Sequence, residues 1–229
     1  MKIAFWGVPL EQPLYKDAKQ AIGTTLGLGE ANLEQATRIA FDLISKLIFG
    51  VISSYYATPI QGRLPPLPPQ VTVQEATESV GLGLVFVSGR YLQGRTVRDL
   101  KDLAHYLDRL LLLHPDTQQP YLALPLTEEL EGRTRDLLAK ARQTPDILQL
   151  RDDIHALIVE IVEASVSYYF ADSVTNEPDQ HLQQVIYYGI RDISESIAQL
   201  ADQLLPSLSP EYLQHFLQYL EKMFFLQVE

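Results

Sequence analysis

Residues 32–57 read NLEQATRIAFDLISKLIFGVISSYYA, and the reading of this stretch decides the expected fold. Asn32 can accept a hydrogen bond from the first free helical N–H groups, and Gln35 stands at the reciprocal position of a capping box. Beyond that cap, Ile39, Phe41, Leu43, Ile44, Leu47, Ile48, Phe49, Val51, Ile52, Tyr55 and Tyr56 cover most of the circumference. Arg38, Asp42 and Lys46 form a thin polar stripe at a spacing of four, where charges pair along one face. A helix apolar nearly all round must be enclosed by other elements. Thr58-Pro59 ends it, because proline lacks an N–H and disfavours helical geometry in the residue before it. The expectation is an all-α protein: one domain over residues 1–229, a compact bundle of seven to eight helices around a central apolar helix at 32–57.

Working outward, Ile3, Phe5 and Val8 suggest a short N-terminal strand or arm, anchored by Trp6, the only tryptophan. A short helix is expected over Tyr15 to Ile22. Past the central helix, the proline-rich segment 64–69 reads as an extended surface strap rather than a recognition motif, since its basic residue is out of register for one. Thr72-Val-Gln-Glu75 and Thr96-Val-Arg-Asp99 are matching capping boxes. The first opens an ambiguous segment. Its glycines weaken a helix and Leu84-Val85-Phe86-Val87 suits a strand, yet a helix is expected, with the glycines allowing close approach of the central helix. The second opens a helix to Leu113 with Leu100, Leu103, Leu107, Leu110 and Leu111 on one face. Residues 115–126, with prolines at 115, 120 and 125, are expected to form a hinge. Thr127 then caps a short helix to about Arg142, Thr144-Pro145 starts a helix to about Ala171, Pro178 starts one that stops at Pro206, and Ser209-Pro210 starts the last.

The totals exclude several kinds of chemistry. With no cysteine in 229 residues there is no disulfide, thiolate zinc site, iron–sulfur cluster or cysteine nucleophile. The opening lacks a signal-peptide pattern and no uncharged apolar run is long enough to span a bilayer, so a cytoplasmic location without a membrane span is expected. The glycines of GTTLGLGE lack the Gly-Lys-Ser/Thr ending of a phosphate loop, and Gly-x-Ser-x-Gly is absent. Asp102-x-x-His105 and Asp152-x-x-His155 have the one-turn spacing of helical-bundle metal ligands. Asp102 and His105 fall opposite the leucine stripe, on the water side. Asp152 and His155 lie nearer the boundary but lack converging glutamates, so no metal centre is expected. Tyr55, Tyr56, Tyr168, Tyr169, Tyr187 and Tyr188 could line a slot for a flat hydrophobic molecule if they converged; otherwise they are rim residues of helix ends.

Charge is unevenly spread. Residues 145–229 hold 14 acidic and 3 basic residues, which accounts for the whole net charge of −11. Such an excess repels nucleic acid and anionic membranes, and makes either a solvated surface or a docking face for a basic partner. At the C-terminus, Tyr212, Phe216, Tyr219, Met223 and Phe224 recur at helical spacing, with Phe225 and Leu226 adding apolar surface; they point to a homodimer contact or to a helix tucked between its neighbours. The functional expectation is a non-enzymatic assembly or regulatory factor acting through protein–protein contact. A bundle binding a hydrophobic ligand is the alternative, and a carboxylate–histidine metal enzyme the third.

Overall fold

The computed structural model describes residues 2–54, 69–175 and 179–228. Strand β1, Lys2–Pro9, is more than an arm. It is an inner strand of a four-stranded antiparallel sheet in the order β2-β3-β1-β4, with β2 Leu111–Leu113, β3 Pro120–Pro125 and β4 Phe224–Val228. Phe5 lies opposite both Pro125 and Phe225, so β1 is held on its two sides by segments far away in the chain. Trp6, 1% exposed, and Val8 point into the main core, while Phe5 joins Tyr121, Ala123 and Phe225 on the opposite face of the sheet.

The rest is helical: α1 Gln12–Gly27, α2 Leu33–Ile52, α3 Pro69–Tyr91, α4 Val97–Leu110, α5 Glu128–Gln143, α6 Arg151–Thr175, α7 Gln180–Ser207 and α8 Pro210–Met223. None of the helices described is long and apolar enough to cross a membrane. Helices α1, α2, α3, α7 and α6 follow one another as packed neighbours, α4 lies across α1 and α2, and α8 packs on β1. The main core is formed by Ile154, Leu157, Ile158 and Ile161 of α6, Ile186 and Leu205 of α7, and Leu213, Leu217 and Leu220 of α8, together with Trp6 and Val8.

The fold is thus mostly helical, but with a sheet, and three expectations need correction. First, α2 is not the enclosed centre. Its buried stripe is Ala36, Ala40, Leu43 and Leu47, while Phe41 and Phe49 are left partly in water. Alanines on the inner face let α2 sit close to Leu92 and Leu100, and the large rings are turned outward. Second, residues 115–126 are a turn and an inner strand, not a hinge. Pro120 and Pro125 stand at the two ends of β3, where a missing N–H disturbs the ladder least. Third, Leu111–Leu113 and Phe224–Val228 are strands where continued helix was expected. Leucine and phenylalanine suit either state, and pairing with distant segments decides between them.

Caps divide in the same way. The Thr96–Asp99 capping box is present in both directions, and Thr127 and Ser209 cap as expected. Asn32 makes no side-chain cap; a short 3-10 turn, Glu30–Asn32, leads into α2 instead. Thr72 lies inside α3, which starts three residues earlier and stays helical throughout. Thr144 ends α5 rather than starting α6, which follows a separate 3-10 turn, Ile147–Leu150. The proline-rich segment falls outside the described residues up to Pro69, where α3 begins.

Two outcomes test this account. A Cβ on Gly189 would lie 2.7 Å from Val87 Cγ2 at the α3–α7 crossing. Gly189→Ala should therefore destabilise, because overpacking by about 1–3 kcal/mol exceeds the roughly 1 kcal/mol gained in helix propensity. In a Val87→Ala background the same change should turn neutral or stabilising, as read by denaturant unfolding. At the α4 cap, hydrogen bonds from the Thr96 backbone N–H and hydroxyl, both 2.8 Å, hold the Asp99 carboxyl below the usual carboxylate range. A lowered folded-state value means stability present above about pH 4 and lost as pH falls through that lowered value. Thr96→Ala should cost about 1 kcal/mol near neutral pH, with the difference from wild type shrinking in acid.

Candidate functional site

Helices α2 and α3 lie side by side but do not close over each other's outer faces. α3 presents Val80 and Val87 to the core, and its run Leu82 to Phe86 is too apolar for one buried stripe. The surplus is left outside: Leu82 is 62% and Phe86 57% exposed. On α2, Phe41 is 40% exposed, with its ring lying over Gly89, where an added Cβ would come within 3.2 Å of it. Between the helices runs an open groove of about 810 Å³, walled by Phe41, Val85, Phe86 and Leu92 and rimmed by Glu34, Arg38 and Arg90.

The rim is polar and the floor apolar. The Arg90 guanidinium lies over the Phe86 ring at 5.2 Å and donates to Gln93 Oε1 at 3.4 Å. Neither Arg38 nor Arg90 forms an ion pair with a carboxylate among the described residues. By contrast, Lys46 of the same polar stripe pairs with Asp42 at 2.9 Å. The site therefore offers exposed aromatic surface beside two guanidinium groups and one carboxylate, Glu34, so that its rim carries a net positive charge.

The residues expected to carry function are placed elsewhere. Tyr55 and Tyr56 lie outside the described residues, as does the side chain of Tyr169. Tyr168 packs on Tyr106 at 6.0 Å, Tyr187 packs edge-on against Tyr188 at 5.5 Å, and none of them lines the groove. Asp152 is exposed on the first turn of α6. His155 Nε2 lies 2.8 Å from Asp202 Oδ1, close enough to pair ionically though not with hydrogen-bond geometry. No group of three or more metal-binding side chains occurs among the described residues. Of the C-terminal set, Phe216, Met223 and Phe225 are buried, and Tyr212, Tyr219 and Phe224 pack partly buried against the main core. The Tyr219 hydroxyl donates to the Ser54 carbonyl; burial, with the Tyr121 phenol nearby, holds it protonated well above the ordinary tyrosine range. The surplus apolar surface expected there is largely spent on the molecule's own core.

The acidic half is also less free than its composition implies. From α5, Arg133 pairs with Glu160, Lys140 with Asp153 at 3.4 Å, and Arg142 with Glu221. Cations from the neutral first part of the chain are thereby laid against the acidic second part.

Sequence reading missed the groove because Phe41 was counted toward an enclosed helix. The available signal was a mismatch: alanines at 36 and 40 on one face of α2, and more large apolar residues at 82–87 than one neighbour can cover. Because Phe86 is mostly exposed, Phe86→Ser should change stability by no more than about 0.5 kcal/mol, whereas Ile154→Ala in the core should cost about 2–5 kcal/mol. Unfolding curves separate these, and an anionic apolar dye such as anilinonaphthalene sulfonate should lose bound fluorescence in Phe86→Ser.

Comparison of the chain with protein-family models, with curated proteins and with solved structures gave no match.

Proposed function

We propose that this protein works through protein–protein contact, as an assembly or regulatory factor, and that the α2–α3 groove is its docking surface. The observation that carries this reading is the open apolar trough walled by exposed Phe41 and Phe86. A site for a small molecule encloses most of its ligand. A trough open along one side suits an element that brings its own second face, and a helix about 10 Å across laid in by its apolar stripe is the usual occupant. Arg38 and Arg90 outnumber Glu34 on the rim and form no ion pair among the described residues, which favours a helix with acidic residues flanking that stripe. This differs from the basic partner suggested by composition, which has weaker support now that α5 supplies cations to the carboxylates of α6 and α8.

The test is to replace Phe86 with a photo-crosslinking benzoylphenylalanine, irradiate in the native host and identify adducts by mass spectrometry. A protein adduct is expected, with an acidic amphipathic segment at the crosslink. Arg38→Glu combined with Arg90→Glu should weaken that complex by roughly tenfold, about 1.4 kcal/mol. Adducts confined to small molecules or lipid would overturn the reading.

A further inference from the structure

Strand β4 is an edge of the sheet with no described strand beyond it, and its hydrogen-bonding groups can be assigned. Leu126 N–H donates to the Ala4 carbonyl and Leu10 N–H to the Pro120 carbonyl, each at 2.9 Å. The even-numbered residues of β1 therefore direct their backbone groups toward β3. Alternation sends those of Ile3 and Phe5 to the other side, to their partners Gln227 and Phe225 in β4. It follows that Phe224, Leu226 and Val228 direct theirs away from β1, and no described strand pairs with them there.

Natural sheets blunt such edges by shortness, charge, proline or a bulge. At the opposite edge, β2 is three residues long and runs straight into His114-Pro115. The sequence of β4, FFLQV, uses none of these devices.

We propose that β4 pairs antiparallel with β4 of a second copy of this chain, across a two-fold axis at Leu226, fusing two four-stranded sheets into one. The pattern is self-complementary. Leu226 meets its twin and exchanges both backbone hydrogen bonds with it, while Phe224 stands opposite Val228, so the outward-directed backbone groups of all three residues lie within the paired register. Charge does not oppose a copy of this chain at this place. Two molecules of net charge −11 repel over most approaches. β4 carries no ionisable side chain, so the strands meet without like charges in opposition. A closed two-fold contact also leaves no further edge of this kind exposed. The proposal uses an element separate from the α2–α3 groove and stands without it.

The experiment combines light scattering on the full chain with amide hydrogen exchange resolved to single residues. The expected wild type is a dimer in the micromolar range, and Leu226→Pro, whose lost N–H points away from β1, is a folded monomer with unchanged helical circular dichroism. The Leu226 amide should gain at least about tenfold protection as concentration rises into the dimer range, while the Phe225 and Gln227 amides, already bonded to β1, stay constant. A wild type that remains monomeric at high micromolar concentration overturns the proposal. So does a folded Leu226→Pro that still dimerises, or a dimer whose Leu226 amide exchanges like a free one. Should Leu226→Pro fail to fold, exchange in the wild type decides alone.

Discussion

The pairing of β1 on both sides is the constraint on which the rest depends. Residues 2–9 bond to β3 near the middle of the chain and to β4 near its end, and this fixes where the helices between can lie. It also sets Trp6 into the core beside Val8 and against the elements that carry Ile154, Leu213 and Leu220. A slip of one residue in the β1–β3 register would turn Ala4, Trp6 and Val8 to the other face and bring Ile3 and Phe5 inward. The sheet is small, yet it ties together helices that sequence alone would arrange as a free bundle.

What was legible in the sequence was local. A helix opening at Thr72 was expected in spite of its glycines and is present as Pro69–Tyr91, and Thr96, Thr127 and Ser209 cap where their side chains said they would. Each of these rests on residues within one turn of one another. The sheet was hidden because each strand is explained only by a distant partner: LLL at 111–113 extends a leucine stripe, and FFLQV extends an aromatic one, until β3 and β1 are placed beside them. The prolines of 115–126 misled in the same way. They mark the ends of a buried strand as readily as they mark a hinge.

The surfaces were harder still to read. Phe41 and Ile44 look alike in a helical wheel, and only the small residues at 36 and 40 show which side of α2 a neighbour approaches. The tyrosine pairs drew attention as aromatic doublets, but Tyr168 turns to Tyr106 while Tyr187 and Tyr188 pack on each other. The charge imbalance was real in the sequence and is moderated in space, because α5 lies between the neutral and acidic parts of the chain and pairs with the latter. Linear composition reported an asymmetry that folding partly cancels.

The position of β1 has a consequence for how the protein is made. Among the described strands, β1 is the first to leave the ribosome and β4 the last. Until β4 is made, the side of β1 that carries the Ile3 and Phe5 backbone groups waits for its partner. Sheet completion therefore follows the synthesis of every described helix between β1 and β4. During that interval the nascent chain displays an apolar strand edge with Trp6 and Phe5 on its two faces, the kind of segment that chaperones bind and that misassembles between neighbouring polysomal chains.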